Sequence, residues 1–235
     1  MQRITSLSDY FKKYEQSVKD PEKFWAEIAD TFIWKKKWDK VLDWDFDSVD
    51  IKWFKNAKLN ITENILEKNL IDRADKTAII WEPNDPTEPS IHLTYKELYE
   101  ETCKFSNALR EKGIKKGDRV IIYMPMVPEA AIAMLACARV GAVHSVVFAG
   151  FSSTSLADRI NDCQAKMVLT SDGNFRGNKT IPVKPVVDEA LEKCKTIESV
   201  VVLERTKQKI NMTSGRDFWW HDCIRDVSSQ CDPEI

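Results

Sequence analysis

The chain has 235 residues, and its 35 lysines and arginines nearly balance 37 acidic residues, which leaves a formal net charge of −2. This length suits one large domain or two smaller ones, and the balanced charge gives no indication of a nucleic-acid or membrane-surface partner. Six cysteines and three histidines are dispersed without metal-ligand spacing, which favours neither a zinc site nor a disulfide framework. Reduced thiols and a polar N-terminus without a signal-peptide pattern indicate the cytoplasm.

The first part of the chain is predicted to be helical and rich in tryptophan. Helices are expected at residues 7–14, 21–31 and 60–70, and Pro21 suits the first turn of the second helix. Between them, residues 33–54 alternate tryptophan with charge. A basic–aromatic surface for nucleic acid is one interpretation of this pattern. Nearby aspartates balance the lysines, however, which favours a solvated face above buried aromatic anchors.

The next segment is predicted to form a hairpin and a capped helix. Strands at 77–81 and 91–93 flank a loop rich in turn-forming residues. Thr94 and Glu97 have the spacing of a capping box, so a helix should begin at Tyr95. This helix leads by a tight turn into the centre of the fold.

A βαβ unit at residues 119–151 is the centre of the predicted fold. Two buried strands, 119–124 and 143–148, flank a helix that begins at Glu129 and ends near Val140. A strand, a helix and a second strand within this length imply a parallel sheet with a right-handed crossover. A membrane span is the alternative interpretation, but charged and polar residues in the middle of the segment disfavour it.

The remaining elements continue the alternation of helix and strand. The pattern predicts helices at 156–163, 187–195 and 217–226 and strands at 166–170 and 200–204. The fold class is therefore α/β, with an N-terminal helical segment followed by a βαβαβ parallel-sheet subdomain.

A polar loop at residues 171–179 is the most informative chemical feature. It follows a predicted strand directly, and open parallel sheets bind ligands outside the carboxyl ends of their strands. Arg176 and Lys179 offer two cations, and Gly173 and Gly177 allow the backbone to approach a ligand closely. Arginine suits phosphate because its planar guanidinium can donate two parallel hydrogen bonds. A solvated loop without a ligand is the alternative interpretation.

The segment 148–152 borders the same edge, because it ends the second strand of the central unit. Its small residues, Ala149 and Gly150, leave room for an adenine ring or a thin acyl arm, although a tight turn explains them equally well. The sequence contains no glycine-rich phosphate loop, nucleophile elbow or H-E-x-x-H pair. The dispersed histidines argue against general-base or metal chemistry within this chain.

Several segments resemble AMP-forming acetyl-CoA synthetase (acetate–CoA ligase), a family of adenylate-forming enzymes. The longest are GAVHSVVFAGFS at 141–152 and GRDFWW at 215–220. Shorter matching segments are Trp53-Phe54, Leu59-Asn60, Asn64, Thr94-Tyr95, residues 113–120 and residues 124–130. The resemblance covers nearly the whole chain. It implies the N-terminal domain fold of acyl-CoA synthetases, with a helical cap segment at 1–70 and the first part of the AMP-binding domain at 71–235.

The resemblance also implies an activity. Members of the family convert acetate, ATP with Mg²⁺, and coenzyme A to acetyl-CoA, AMP and pyrophosphate through acetyl-AMP. Their phosphate loop, acetate pocket, hinge and small C-terminal domain lie downstream of the segments found here. The chain is therefore expected to be the N-terminal part of a longer ligase, inactive alone and partnered by the remainder of its own chain. No catalytic residue, metal site, tightly bound cofactor, nucleic acid or membrane partner is expected.

The resemblance assigns a coenzyme A site to the polar loop. In the family, the segment that matches Arg176-Gly177-Asn178-Lys179 binds the phosphate-bearing nucleotide end of coenzyme A. The turn that matches Phe148-Ala149-Gly150, together with the position of Ile181, lies against the adenine. Lys179 stands where the family usually has a second arginine, and Ala149 stands where it often has glycine. A lysine cannot form the bidentate fork of an arginine, which bears on the affinity at that position.

Two alternatives stay open. A propionyl-CoA or other short-chain acyl-CoA synthetase fits the same pattern, because the acyl pocket lies outside these residues. The alternative of another class is a stand-alone module that binds coenzyme A, another nucleotide or a protein partner.

Overall fold

A computed structural model describes residues 3–235, which form two compact units. The first contains the residues up to Asn64 together with Ile235, and the second contains residues 65–234. Helices and a β-hairpin make up the first unit. In chain order its elements are α1 (Leu7–Lys19), α2 (Pro21–Ala29), β1 (Lys40–Asp45), β2 (Asp50–Lys55) and all but the last residue of α3 (Ile61–Ile65).

Side-chain caps determine where the first two helices begin. Ser6 accepts a hydrogen bond from the backbone N–H of Asp9 at the start of α1. Asp20 caps α2 in the same way, and Pro21 occupies the first turn, as predicted. These side chains satisfy backbone donors that have no partner within the helix.

The structure corrects the prediction for residues 33–54. They contain the antiparallel β1–β2 hairpin, which the alternation of tryptophan and charge did not reveal. Trp34 and Trp38 are half-buried and pack around Phe54, as expected of aromatic anchors. Trp44 and Trp53 are exposed, so the prediction of buried anchors is wrong for these two.

The single helix predicted at residues 60–70 is also wrong. Two short helices occupy this segment, α3 and α4 (Glu67–Arg73), and the fully buried Leu66 separates them. Thr62 is not a cap, since its N–H and hydroxyl both donate to the side-chain oxygen of Asn60.

The second unit is built around a five-stranded parallel sheet with helices on both faces. After α4 its elements are β3 (Thr77–Trp81), β4 (Ile91–Thr94), α5 (Tyr95–Glu111), β5 (Arg119–Tyr123), α6 (Pro128–Arg139), β6 (Val143–Val146), α7 (Ser153–Cys163), β7 (Met167–Ser171), β8 (Gly173–Arg176), β9 (Lys179–Pro182), α8 (Lys184–Leu191), β10 (Ser199–Leu203), β11 (Asp217–Trp219) and α9 (Trp220–Cys223).

The strand order of the sheet is β11-β10-β7-β5-β6, and every neighbouring pair is parallel. The predicted α/β class is therefore confirmed. Because all strands run the same way, their carboxyl ends lie along one edge, where β5 separates the end of β6 from the end of β7.

Strand β5 shows why the sheet is buried on both faces. Val120 and Ile122 join a core cluster that includes Phe105 of α5. Ile121 and Tyr123 point the other way, into a cluster formed with α7 and α8. Side chains alternate across a strand, so an unbroken apolar run is expected where helices cover both faces.

Strand β6 is an edge strand rather than the buried strand that was predicted. Val143 and Val146 are both more than half exposed. Among the described residues, β6 pairs with β5 alone, so one side of it has no neighbouring strand. The predicted helix at 217–226 is wrong in its first part, because residues 217–219 form β11 beside β10.

Helices α5 and α6 begin near the predicted positions. The capping box of Thr94 and Glu97 is formed at the start of α5, and α6 begins at Pro128 and ends at Arg139. None of the helices within residues 3–235 combines the length and the apolar character needed to cross a bilayer.

Candidate functional site

Asp172 fixes the point at which the chain leaves β7. Its side chain is completely buried. The backbone N–H groups of Gly173, Arg205, Thr206 and Gln208 and the hydroxyl of Thr206 all donate to its carboxylate, at 2.7–3.1 Å. These hydrogen bonds join the end of β7 to the loop after β10 and satisfy the buried charge.

The polar segment after β7 is a β-hairpin rather than the irregular loop that was predicted. Strands β8 and β9 pair antiparallel, and Arg176 lies directly opposite Lys179. Gly177 and Asn178 form the turn between them, and Gly177 has a φ of +55°, a conformation that favours glycine. Side chains directly opposite each other share a face with their Cβ atoms about 5 Å apart. The hairpin therefore places the two cations side by side at its tip.

The residues at the hairpin tip are open to a ligand. Arg176, Gly177, Asn178 and Lys179 are all exposed. Of the ion pairs formed within residues 3–235, none involves Arg176 or Lys179. Two positive charges without a carboxylate partner on an exposed turn suit a phosphate-bearing ligand.

Arg205 packs the hairpin against the loop between β3 and β4. Its guanidinium carbon lies 4.7 Å from the ring centroid of Phe175 and 5.1 Å from that of Trp81. The same guanidinium donates to Glu88 at 3.2 Å. A cation between two aromatic faces gains from both, so the hairpin is supported from outside the sheet. Sequence reasoning missed Arg205 because it lies in a polar stretch without periodicity.

The turn after β6 carries the second group of candidate residues. The carbonyl of Phe151 accepts a hydrogen bond from the hydroxyl of Tyr123 at 2.7 Å, which fixes the turn to β5. Phe148 is 71% exposed, and Ala149 is half-buried. A Cβ atom on Gly150 would lie 2.5 Å from the Phe148 ring, so glycine permits this ring position.

The candidate residues form two groups in the structure, one in the β8–β9 hairpin and one in the turn after β6. Ile181 is half-buried on β9, in the same hairpin as Arg176 and Lys179. The turn at 148–150 follows β6, whereas the hairpin follows β7, and β5 lies between those strands. Neighbouring strands are about 4.8 Å apart, so the two strand ends lie about 10 Å apart on one edge.

Glu129 is a further titratable group near this edge, in the first turn of the helix that follows β5. Burial raises the pKa of Glu129 because its carboxylate loses water, while the positive charge of Arg205 opposes the shift. A raised pKa of a carboxylate in the first turn of a helix is not by itself evidence of a ligand-binding site, so we assign Glu129 no ligand.

Comparison with known proteins identifies the family to which the chain belongs. Residues 66–234 match the family model described as AMP-binding enzyme, and residues 10–65 match that of the acetyl-coenzyme A synthetase N-terminus. The chain therefore belongs to the AMP-binding enzyme family.

Within that family the chain is similar to acetyl-coenzyme A synthetases. It is 51% identical over 227 residues to that of Syntrophobacter fumaroxidans and 50% identical over 227 residues to that of Bradyrhizobium diazoefficiens. Each alignment covers 96% of this chain and 35% of the relative, so the chain spans about a third of the length of these relatives.

A solved structure supports the fold. The acetoacetyl-CoA synthetase of Streptomyces lividans superposes with a TM-score of 0.83 at 24% identity, covering 94% of this chain and 33% of that one. At this level of identity the likeness bears on the fold alone.

Proposed function

We propose that the chain is the N-terminal portion of an AMP-forming acetate–CoA ligase and contributes part of the coenzyme A nucleotide site. The observation that carries the proposal is the β8–β9 hairpin. It presents Arg176 and Lys179 at the carboxyl edge of the sheet without a carboxylate partner among residues 3–235. Similarity to acetyl-coenzyme A synthetases along 96% of the chain supports the choice of ligand.

The hairpin tip would bind the phosphates of the nucleotide end. Arg176 would donate two parallel hydrogen bonds to one phosphate, and Lys179 would contribute a point charge. Gly177 has no side chain and lies exposed between the two cations, so phosphate oxygens can approach the tip closely. Charge-assisted contacts of this kind are stronger than neutral hydrogen bonds, so Arg176 and Lys179 are the principal ligands of the site, and Gly177 and Asn178 form the turn between them.

The adenine would lie on the turn after β6. Phe148 offers an exposed aromatic face, and Ala149 and Gly150 add little side-chain bulk beside it. Ile181 supplies an apolar contact from the hairpin. The turn after β6 and the hairpin after β7 leave the same edge of the sheet on either side of β5, which suits a ligand with a planar base at one end and phosphates at the other.

The chemistry of the complete ligase would proceed in two displacements. A carboxylate oxygen of acetate attacks the α-phosphorus of MgATP, and pyrophosphate leaves to give acetyl-AMP. The sulfur of coenzyme A then attacks the acetyl carbonyl carbon, loses its proton, and expels AMP. This chain would hold coenzyme A by its nucleotide end, while the remainder of the protein would carry the reacting groups.

The Mg²⁺ ion of this reaction belongs to the substrate MgATP. Among residues 3–235, no three or more His, Cys, Asp or Glu side chains are grouped to hold a metal ion. A cytoplasmic location is part of the proposal, and it is supported by the free thiols of the six cysteines, which suit a reducing compartment.

Acetate is the proposed acyl substrate, and propionate is the close competitor. Both can be tested on the protein purified from its source, by following pyrophosphate release with each acid in turn. We expect release that depends on acetate and exceeds that with propionate. A preference for propionate would move the protein to the short-chain alternative.

A chimera tests the contribution of this chain itself. The chain would replace the matching first third of the Syntrophobacter fumaroxidans relative, and the unaltered relative would be the control. We expect the chimera to form acetyl-CoA and AMP from acetate, ATP and coenzyme A. A folded chimera without acetate-dependent pyrophosphate release would overturn the proposal.

A further inference from the structure

Asn84, in the loop between β3 and β4, is bonded to the turn of the β8–β9 hairpin. Its side-chain NH₂ donates to the carbonyl of Gly177 at 2.9 Å. Its side-chain oxygen accepts from the N–H of the same glycine at 3.2 Å. The amide of Asn84 therefore satisfies both backbone polar groups of Gly177, as a neighbouring strand would do.

The loop that carries Asn84 is itself held in place. The carboxylate of Asp85 accepts hydrogen bonds from the N–H and the hydroxyl of Thr87, at 2.9 and 2.7 Å. Glu88 accepts from Arg205, whose guanidinium packs on Phe175 of the hairpin. Asn84 is thus presented by a loop that is anchored independently on the same hairpin.

The hydrogen bonds between Asn84 and Gly177 lie next to the candidate phosphate ligands, so they bear on binding. Gly177 lies between the two candidate phosphate ligands, directly after Arg176 and two residues before Lys179. Fixing both polar groups of Gly177 fixes the turn, and the turn sets how far apart the two cations stand. A turn that is free to move would reduce the fraction of chains ready to bind, and the apparent affinity falls by that fraction.

We propose that Asn84 is a positioning residue for the coenzyme A site, holding the turn so that Arg176 and Lys179 face the phosphates together. This inference rests on the proposed function of the hairpin. The NH₂ and the oxygen of the Asn84 side chain are both bonded to the backbone of Gly177, so its effect on a ligand passes through the turn.

The first test measures the turn without any ligand. Trypsin cleaves after arginine and lysine, so Arg176 and Lys179 are both cleavage sites, and cleavage of a folded protein follows the population of locally opened chains. We expect Asn84→Ala to be cut within the hairpin severalfold faster than the unaltered chain. The control is Glu82→Ala, which changes a residue of the same loop and is expected to be cut at the unaltered rate.

The second test measures coenzyme A binding by calorimetry with the same three proteins and with Arg176→Ala. We expect Asn84→Ala to bind about 3- to 10-fold more weakly than the unaltered chain, the loss expected when two hydrogen bonds that preorganise a site are removed. Glu82→Ala should bind as the unaltered chain does. Asn84→Ala should unfold within a few degrees of the unaltered chain, since the residue lies in a surface loop.

The outcomes separate this inference from the site on which it rests. If Arg176→Ala weakens binding and Asn84→Ala does not, the coenzyme A site stands and the positioning role is overturned. Faster cleavage of Asn84→Ala with unchanged affinity also overturns the positioning role, because the contact would then be merely structural. If the unaltered chain shows no binding at roughly 1 mM coenzyme A, or Arg176→Ala binds equally well, both proposals fail.

Discussion

The ammonium group of Lys184 lies 2.8 Å from a carboxylate oxygen of Asp217, and both side chains are fully buried. Lys184 begins α8 directly after the candidate hairpin, and Asp217 begins β11 at the end of the sheet. A carboxylate oxygen of Asp188 and the carbonyl of Asn211 also accept hydrogen bonds from this ammonium, at 2.7 and 3.0 Å. A buried cation is tolerated only with such partners, so this ion pair anchors the exit of the hairpin to the sheet.

Replacing Lys184 should destabilise the fold. In Lys184→Met the buried Asp217 carboxylate keeps only Arg216 as an ion-pair partner, so we expect a cost near the lower end of the about 3–5 kcal/mol that breaking a buried pair takes. Urea denaturation should show a loss of that size. Lys193→Met, at an exposed position after α8, should change the free energy of unfolding by less than about 0.5 kcal/mol. Equal effects of the two substitutions would contradict the anchoring role.

The Asp217 carboxylate should make the free energy of unfolding depend on pH in the acid range. Burial by itself would raise the pKa of Asp217, but hydrogen bonds from Arg216 and Lys184 outweigh burial and lower it below its ordinary value of 3.8. The stabilisation is therefore fully present above the unfolded-state pKa and is lost as the pH falls through the lower folded-state pKa. Urea titrations from about pH 5 to about pH 3 should show a steeper loss for the unaltered chain than for Asp217→Asn. Parallel profiles would contradict this assignment.

Removing the Asp172 carboxylate should destabilise the fold at the base of the β8–β9 hairpin. Asp172→Asn replaces one acceptor oxygen by an NH₂ group that faces the backbone donors of residues 205–208. Buried donors without an acceptor cost about 1–3 kcal/mol each, so we expect a destabilisation of at least about 2 kcal/mol and faster tryptic cleavage at Arg176. Asp162→Asn, on the exposed side of α7, is the control. An Asp172→Asn variant as stable as the unaltered chain would show that the carboxylate does not hold the hairpin base.

The lysine at position 179 gives a prediction in the direction of tighter binding. Lys179→Arg should bind coenzyme A about 2- to 5-fold more tightly, because a guanidinium can donate two parallel hydrogen bonds to phosphate where an ammonium acts as a point charge. Lys179→Ala should bind coenzyme A more weakly than the unaltered chain, and the difference in affinity between these two proteins should shrink as salt is added. Calorimetric titrations at two salt concentrations measure both effects. If Lys179→Arg and Lys179→Ala bind equally, position 179 does not contact the ligand.

The parallel sheet was predictable because its signals are local. The apolar run at 119–124 and the capping box of Thr94 and Glu97 each lie within a few neighbouring residues, and the structure contains both. The β1–β2 hairpin lacked such a signal. Its connection contains Val49 at a φ of +56°, where a sequence pattern would require glycine or asparagine.

The hydrogen bonds that hold the candidate site in place join residues that are far apart in the sequence. The donors to Asp172 include residues 33–36 positions away, and Asn84 meets Gly177 across 93 positions. No periodicity or spacing rule reports such pairings. Likewise, β6 was predicted to be buried because its apolar run resembles that of β5, whereas its place at the edge is set by which strands lie beside it. The predicted boundary between residues 70 and 71 stays a prediction.

Binding of coenzyme A at the hairpin is tested most directly by comparing two ligands on one protein. Coenzyme A and 3′-dephospho-coenzyme A would be titrated by calorimetry into the unaltered chain and into Arg176→Ala. We expect the unaltered chain to prefer coenzyme A, and we expect Arg176→Ala to lose about 10-fold or more of its affinity for it, the scale of a charge-assisted hydrogen bond. Equal affinity of both proteins for coenzyme A would contradict the proposal that this hairpin binds its phosphate-bearing end.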